Sequence, residues 1–177
     1  MSRGGCRTQG CGNDPYDGEG WNDYCGNCAD RKENEMGYTH YWSGPALDDH
    51  QARIAAHDIR LIIKAKRTTI RGPLGAGLPE ISALQVLLNG DEGTADDYET
   101  FELRFDRGVD DFCKTGRRPY DIVVTACLAY LAAEHGYEVS SDGDAKDWEA
   151  GVALAGAALG RPIPNPMIVN QLAGQQA

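Results

Sequence analysis

The stretch PYDIVVTACLAYLAAEH, from Pro119 to His135, is the most apolar part of the chain and decides how the rest must be arranged. No charged residue occurs between Ile122 and Ala133, so a helix here has to be covered on nearly all sides. Pro119 suits the first turn of a helix, and Gly136 can take the left-handed conformation that ends one. The stretch is too short to span a membrane. It therefore predicts a buried central helix inside a soluble domain.

Length and charge narrow the possible classes of protein. A chain of 177 residues can bury one real core with room for a small appendage. The net charge of −10 argues against a general affinity for nucleic acid or anionic membranes. The N-terminal MSRGGCRTQGCGN is polar and glycine-rich and lacks the apolar run of a signal peptide. We therefore expect a cytoplasmic protein without a membrane partner.

Four of the six cysteines lie close together near the N-terminus, in the pattern C-x4-C-x13-C-x2-C. Two close pairs joined by a short loop can place four thiolates around one tetrahedral zinc ion. The alternatives are two disulfides or four idle thiols, which a reducing compartment makes less favourable than a metal site. Four thiolate ligands leave no open coordination position for water, so the zinc is expected to be structural. The predicted ligands are Cys6, Cys11, Cys25 and Cys28.

The same segment resembles the short four-cysteine zinc fingers of eukaryotic ubiquitin-editing and stress-associated proteins. The matching features are Gly10 before the second cysteine, Tyr16 and Trp21 in the loop, and Arg31 soon after the last cysteine. The loop is two residues longer than in those fingers, and paired aromatics do not follow the second cysteine. The resemblance implies the finger fold and its four ligands.

The remainder of the chain predicts an α+β domain: a small antiparallel sheet packed on the buried central helix and on flanking helices. The expected boundaries are a zinc finger over 1–35, the α+β domain over 36–160 and a proline-containing tail over 161–177 that is extended or disordered. Alternation of apolar residues and turn signals predict the elements. These are strands Met36–Trp42, Ile81–Leu88, Glu99–Asp106 and Tyr137–Ser140, and helices from Asp48 or Asp49 to Lys66 and from Asp144 or Asp147 to Leu159. The second and third strands are expected to form an antiparallel hairpin.

A series of short strings in the body also carries a resemblance. They are MGYTHYW (36–42), GLPEI (77–81), ETF (99–101), FCKT (112–115), RPYD (118–121) and SSDG (140–143). Their order is similar to that of a widespread group of small uncharacterised proteins of bacteriophages and prophages, over most of the chain. The resemblance implies a viral setting, hence the cytoplasm of a host cell, and a single body behind the finger.

Polar residues before the central helix and after the last predicted strand are the candidate ligand-binding site. Backbone N–H groups at a helix N-terminus favour anions, and nearby cations would add to that effect. The candidates are His40, Lys114, Thr115, Arg118, Tyr120, Asp121, Ser141 and Asp142. In the alternative interpretation, Asp121 and Thr115 only cap the helix and the arginines are solvated. Cys113 and His40 could form a nucleophile and base, but a buried structural thiol is favoured.

A basic stripe follows the first helix of the body: Arg53, Arg60, Lys64, Arg67 and Arg71. It could contact phosphates, but a solvated helix face is the favoured interpretation because no aromatic residues are interleaved with it. His50 and His57, on the same helix, are expected to be surface residues.

Together these patterns predict a zinc-containing binding protein of the phage type. It would act as an adaptor or inhibitor of a host protein, or bind a small anionic signal. An enzyme acting on a nucleotide or phosphorylated small molecule is the alternative, and a nucleic-acid-binding regulator is a second alternative that the overall acidity disfavours.

Overall fold

The computed structural model describes residues 38–66 and 68–174, and these form an α+β domain. The helices are α1 (Asp49–Ala65), α2 (Asp121–Glu134), α3 (Ala145–Leu159) and α4 (Pro166–Gly174). The strands are β1 (Thr39–Gly44), β2 (Glu80–Ile81), β3 (Gln85–Leu88), β4 (Phe101–Arg104), β5 (Val109–Lys114) and β6 (Glu138–Ser141). The predicted finger and its four cysteine ligands lie outside the described residues. None of the described helices combines the length and the hydropathy that a bilayer span requires.

Helix α2 is the buried centre of this domain, as its sequence predicts. Every residue from Val123 to Leu131 is buried, so this part of the helix is covered on all sides. The helix ends at Glu134, and Gly136 follows with a φ of 70°. This left-handed glycine is the expected stop signal.

Helix α3 packs closely against α2, and a glycine allows the close approach. A Cβ placed on Gly151 would lie 2.2 Å from Thr125 Oγ1 and 2.9 Å from the backbone nitrogen of Ala126. Trp148, one turn earlier, is fully buried. The position of Gly151 therefore sets the distance between the two helices.

Helix α1 forms where its capping signal predicts. The Asp48 side chain accepts a hydrogen bond from the Gln51 backbone N–H at 2.8 Å, and the Gln51 side chain returns the contact to the Asp48 N–H. This reciprocal capping box satisfies two N–H groups that the helix leaves unpaired. The apolar face of the helix is buried: Ala52, Ala55, Ile59 and Ile62. His50 and His57 are exposed, as expected.

The strands form two three-stranded antiparallel sheets in the orders β5-β1-β6 and β2-β3-β4, where the sequence predicts one small sheet. The expected hairpin is present as β3 and β4, with Val86 opposite Leu103 and Leu88 opposite Phe101. The predicted strand Ile81–Leu88 is divided, because the Ser82 hydroxyl accepts from the N–H groups of Leu84 and Gln85 and makes a turn. The strand over Thr39–Gly44 pairs with distant segments instead and forms its own sheet.

The sequence does not predict strand β5. It predicts a loop here that continues into the central helix. Asp110, Asp111 and Phe112 are all exposed, so the segment lacks the alternation that marks a half-buried strand. Its backbone pairing with β1, from Thr39 opposite Lys114 to Gly44 opposite Val109, holds it in the sheet.

The C-terminal segment also differs from the prediction, because α4 is a helix and not an extended or disordered tail. The Asn165 side chain accepts from the Met167 N–H at 3.0 Å, which is an N-terminal capping contact. Ile163 and Met167 are buried against the core. The Asn170 amide donates to the Val139 carbonyl at 2.8 Å and ties the helix to β6. Tertiary contacts therefore order a segment whose own periodicity is weak.

Candidate functional site

A buried polar cluster links the two strands β1 and β6 to the start of α2. His40 Nε2 lies 2.7 Å from Asp121 Oδ1, and His40 Nδ1 lies 2.9 Å from Ser141 Oγ. The Thr115 hydroxyl donates to the same Asp121 oxygen at 2.5 Å. His40 and Thr115 are fully buried, whereas Ser141 is partly exposed. We call these four residues the polar cluster.

Strand register and chain turns bring the polar cluster together. His40 is opposite Ser141 in the antiparallel pair of β1 and β6. Thr115 follows β5, and Asp121 is the first residue of α2. The four sequence strings MGYTHYW, FCKT, RPYD and SSDG thus each supply one member. One residue from each of these four strings therefore meets the others in space.

The start of α2 does not have the simple side-chain cap that the sequence offers as an alternative. Tyr120 occupies the capping position and makes no capping hydrogen bond with its side chain. The Asp121 carboxylate instead accepts from Thr115 and faces His40. Asp121 and Thr115 thus belong to a tertiary hydrogen-bond network between a helix, a strand and a loop.

The loop between β5 and α2 has an unusual backbone conformation. Gly116 and Arg117 have φ values of 54° and 55°, and the left-handed region is unfavourable for a residue with a Cβ. This turn places the Arg117 guanidinium 3.9 Å from the centre of the Tyr38 ring and 2.6 Å from Asp147 Oδ1. The hydrogen bond from Arg117 lowers the pKa of Asp147. Arg117 therefore covers Tyr38 and joins the loop to α3.

Tyr38 lies under this cover beside the loop that carries Ser141. Its hydroxyl is buried, makes no hydrogen bond of standard geometry within the described residues, and interacts with the Ser141 hydroxyl. A Cβ on Gly143 would lie only 2.3 Å from that hydroxyl oxygen, so the glycine allows the ring to approach. Burial is the largest cause that raises the Tyr38 pKa, and Asp121 and Asp147 raise it further. The phenol therefore keeps its proton at neutral pH and can donate a hydrogen bond.

The remaining predicted ligand-binding residues do not join this cluster. The Tyr120 hydroxyl donates to the Glu99 carbonyl at 2.7 Å, and the Lys114 backbone N–H donates to the Glu99 carboxylate at 2.8 Å. Arg118 Nε is buried without a hydrogen-bond partner within the described residues. Asp142, at the exposed rim, accepts from the Thr39 N–H at 3.0 Å. The carboxylates of Asp121 and Asp142 and the pairing of Arg117 leave this region without a cationic excess.

Cys113 is next to His40, which the sequence alone does not indicate. The two residues are opposite each other in the pairing of β1 with β5. However, the thiol is fully buried and donates to the Glu99 carbonyl at 3.6 Å. Burial raises the pKa of Cys113 to about 12, so the thiolate that would act as a nucleophile is scarce at neutral pH. Cys113 fits the expected role of a structural thiol.

The opposite side of the β5-β1-β6 sheet is a second candidate surface. Its side chains alternate with the buried ones and form an outer face: Tyr41, Ser43, Asp110, Phe112, Glu138 and Ser140. Tyr41 and Phe112 are 42% and 52% exposed, and their ring centres are 6.3 Å apart. A groove of about 410 Å³ runs along this face, beside Asn170 of α4. Sequence reasoning missed Phe112 because it placed this residue outside any strand.

The four predicted metal ligands lie outside the described residues, since all four cysteines precede residue 38. Among residues 38–66 and 68–174, no group of three or more histidine, cysteine or acidic side chains is arranged to hold a metal ion. Comparisons with protein-family models, with curated proteins and with solved structures gave no match. The fold and the two surfaces therefore define the class: a small α+β domain with an internal Ser-His-Asp-Thr cluster and an open sheet face.

Proposed function

We propose that this chain is a phage-type, zinc-containing binding protein, and that its outer face docks a basic segment of a host protein. The observation that carries the proposal is the exposed pair Tyr41 and Phe112 between acidic residues. Aromatic side chains supply large contact areas at protein interfaces. They also attract arginine and lysine through the faces of their rings. An adaptor or inhibitor needs such a surface and needs no reaction.

Charge favours a basic partner. Asp110 and Glu138 flank the same groove and are both exposed, and the whole chain has a net charge of −10. Complementary charge would steer a cationic segment to this face and suppress acidic competitors. Nucleic acid is an unfavourable partner for this face because nucleic acid is itself negatively charged.

The structure supports a small anionic ligand less well than it supports a basic protein segment. Arg117, which lies over the polar cluster, is already paired with Asp147 at 2.6 Å. On the basic stripe, Arg60 donates to the Ile81 carbonyl, and Arg71 is paired with Asp91 at 3.0 Å. These contacts reduce the cationic surface available to a phosphate, which weakens both the nucleotide-enzyme and the nucleic-acid alternatives.

Fluorescence anisotropy with two labelled synthetic peptides tests the docking proposal. One peptide alternates arginine and leucine, and the other replaces each arginine by glutamate. We expect the arginine peptide alone to bind, with an affinity that falls as salt is added. Phe112→Ala and the double variant D110N/E138Q should each weaken binding about tenfold, a change typical of an interface hot spot.

Leu78→Ala is the matched control, because Leu78 is 81% exposed but lies outside the outer face. Its binding should equal that of the unmodified protein. Equal binding of both peptides, or binding that survives Phe112→Ala and D110N/E138Q, would rule out this face as the docking site.

The zinc part of the proposal rests on the cysteine spacing alone and has a separate test. Native mass spectrometry should find one zinc per chain, lost in a variant with Cys25 and Cys28 replaced by serine. Finding no zinc in the unmodified protein would remove the finger from the proposal and leave the outer face untouched.

A further inference from the structure

The polar cluster contains a hydrogen-bonded relay whose chemistry the docking proposal does not use. It runs from the partly exposed Ser141 hydroxyl through the buried His40 ring to the Asp121 carboxylate, over distances of 2.9 and 2.7 Å. Both distances are within the range in which a base can activate a nucleophile and an orienting group can hold the base. We propose that Ser141 is a nucleophilic serine that accepts acyl groups from small carboxylic esters.

The hydrogen-bond directions are consistent along the relay. A carboxylate oxygen can only accept, so Asp121 favours the ring form in which His40 Nε2 carries the hydrogen. His40 Nδ1 then has a free lone pair directed at Ser141 Oγ. The Gly143 N–H donates to the same oxygen at 2.9 Å, which leaves the Ser141 hydrogen to point at His40. The serine, histidine and carboxylate thus have the roles of nucleophile, base and positioning group.

The buried Tyr38 hydroxyl supplies the donor that acyl transfer also needs. It makes no hydrogen bond of standard geometry within the described residues, but it interacts with the Ser141 hydroxyl. Gly143, which bonds Ser141, would place a Cβ 2.3 Å from this hydroxyl, so Tyr38 borders the loop of the nucleophile. A phenol donor beside the serine can bind the negative oxygen that develops on an attacked carbonyl.

In the proposed step, Ser141 Oγ attacks the ester carbonyl carbon while its proton moves to His40 Nδ1. The new C–O bond pushes the carbonyl π electrons onto oxygen, where Tyr38 donates a hydrogen bond. The intermediate collapses by breaking the bond to the alkoxy group, which leaves with the proton from His40. Water then attacks the acyl-serine and gives a proton to His40, which passes it to Ser141 Oγ as the acyl C–O bond breaks and the carboxylic acid is released. The acidic rim residues Asp142 and Asp144 favour neutral or cationic esters over anionic ones.

Covalent labelling of the full chain by a fluorophosphonate probe tests the proposal by intact-mass and peptide-mapping spectrometry. We expect one label per chain, on Ser141, and none on protein unfolded in urea. Ser141→Ala should remove the label, whereas Ser140→Ala should keep it, because the exposed Ser140 lies on the other side of β6. p-Nitrophenyl acetate should acetylate the same serine.

Two conservative variants separate catalysis from folding. Tyr38→Phe removes a buried hydroxyl that makes no hydrogen bond of standard geometry within the described residues, so the fold should lose little stability while acetylation slows about 10²-fold. Asp121→Asn should lower the rate constant of labelling and leave its final amplitude unchanged. A variant that was partly unfolded would instead show a lower final amplitude. The proposal is overturned if the probe does not label the unmodified protein, or labels it at Ser140. This test uses the unmodified protein alone and needs no variant. Such a result would leave the docking proposal standing.

Discussion

The contact between α2 and α3 gives the sharpest stability prediction, because one glycine sets it. In an unobstructed helix interior, glycine to alanine stabilises by about 1 kcal/mol. At Gly151 the new Cβ would lie 2.2 Å from Thr125 Oγ1, 2.8 Å from Thr125 Cβ and 2.9 Å from the Ala126 nitrogen. Real Cβ atoms do not approach so closely, and the last of these neighbours is backbone. The two helices must therefore separate.

Overpacking of this kind costs about 1–3 kcal/mol, so after the gain in helix propensity the net effect of Gly151→Ala should be a loss of up to about 2 kcal/mol. For a domain of this size that corresponds to a fall in Tm of up to about 8 °C. Circular dichroism during heating and urea unfolding would measure it. Thr125→Ala removes the nearest atom, so adding Gly151→Ala on that background should cost less than Gly151→Ala alone.

Gly156→Ala on the same helix is the control, because the atom nearest to its new Cβ would be the Arg161 carbonyl oxygen, at 3.2 Å. Its loss should be smaller. If Gly151→Ala raises the Tm, as an ordinary helix position would, the close packing of α2 against α3 is refuted.

Three further predictions concern titration, thiols and capping. Burial lowers the pKa of His135 in the folded protein. The stability that depends on a neutral His135 ring is therefore fully present above about pH 6.5 and is lost as the pH falls through the folded-state pKa. We expect His135→Gln to flatten the decline of the urea unfolding midpoint between about pH 7 and 5. Burial raises the pKa of Cys113 and Cys127 to about 12, so iodoacetamide at about pH 8 should modify them only in denaturant; peptide mass mapping that finds them modified in the folded protein would contradict the buried positions. Asp48→Ala should cost about 1 kcal/mol in urea unfolding by removing the cap of α1, while Asp49→Ala, at an exposed position beside it, should cost clearly less.

Local signals predicted most of the helices and strands correctly. Helix α1 has a capping aspartate and an apolar face, and α2 has an apolar run followed by a left-handed glycine. Both kinds of signal act within a few residues, so they can be recognised in the sequence. Strand β5 lacks such signals, and helix α4 has the capping residue Asn165 but only weak periodicity, so both were mispredicted. Pairing with β1 orders β5, and burial of Ile163 and Met167 orders α4.

The candidate site divides in the same way. His40, Thr115, Asp121 and Ser141 were identified as candidate polar residues from the sequence, but as parts of an anion pocket that also included Lys114 and Tyr120. The structure brings the first four together, whereas the Tyr120 hydroxyl and the Lys114 backbone N–H donate to Glu99. Tyr38 and Phe112 were missed, because their importance depends on neighbours distant in the chain.

The sequence by itself determined that this protein has a buried central helix, an α+β body and an acidic surface. These properties depend on local composition, hydrophobic periodicity and capping, which act over a few residues. Only the tertiary structure decided the division into two sheets, the meeting of His40 with Asp121 and Ser141, and the exposure of Tyr41 beside Phe112. Those depend on strand register between segments up to about a hundred residues apart, and a shift of one residue would turn each side chain to the opposite face.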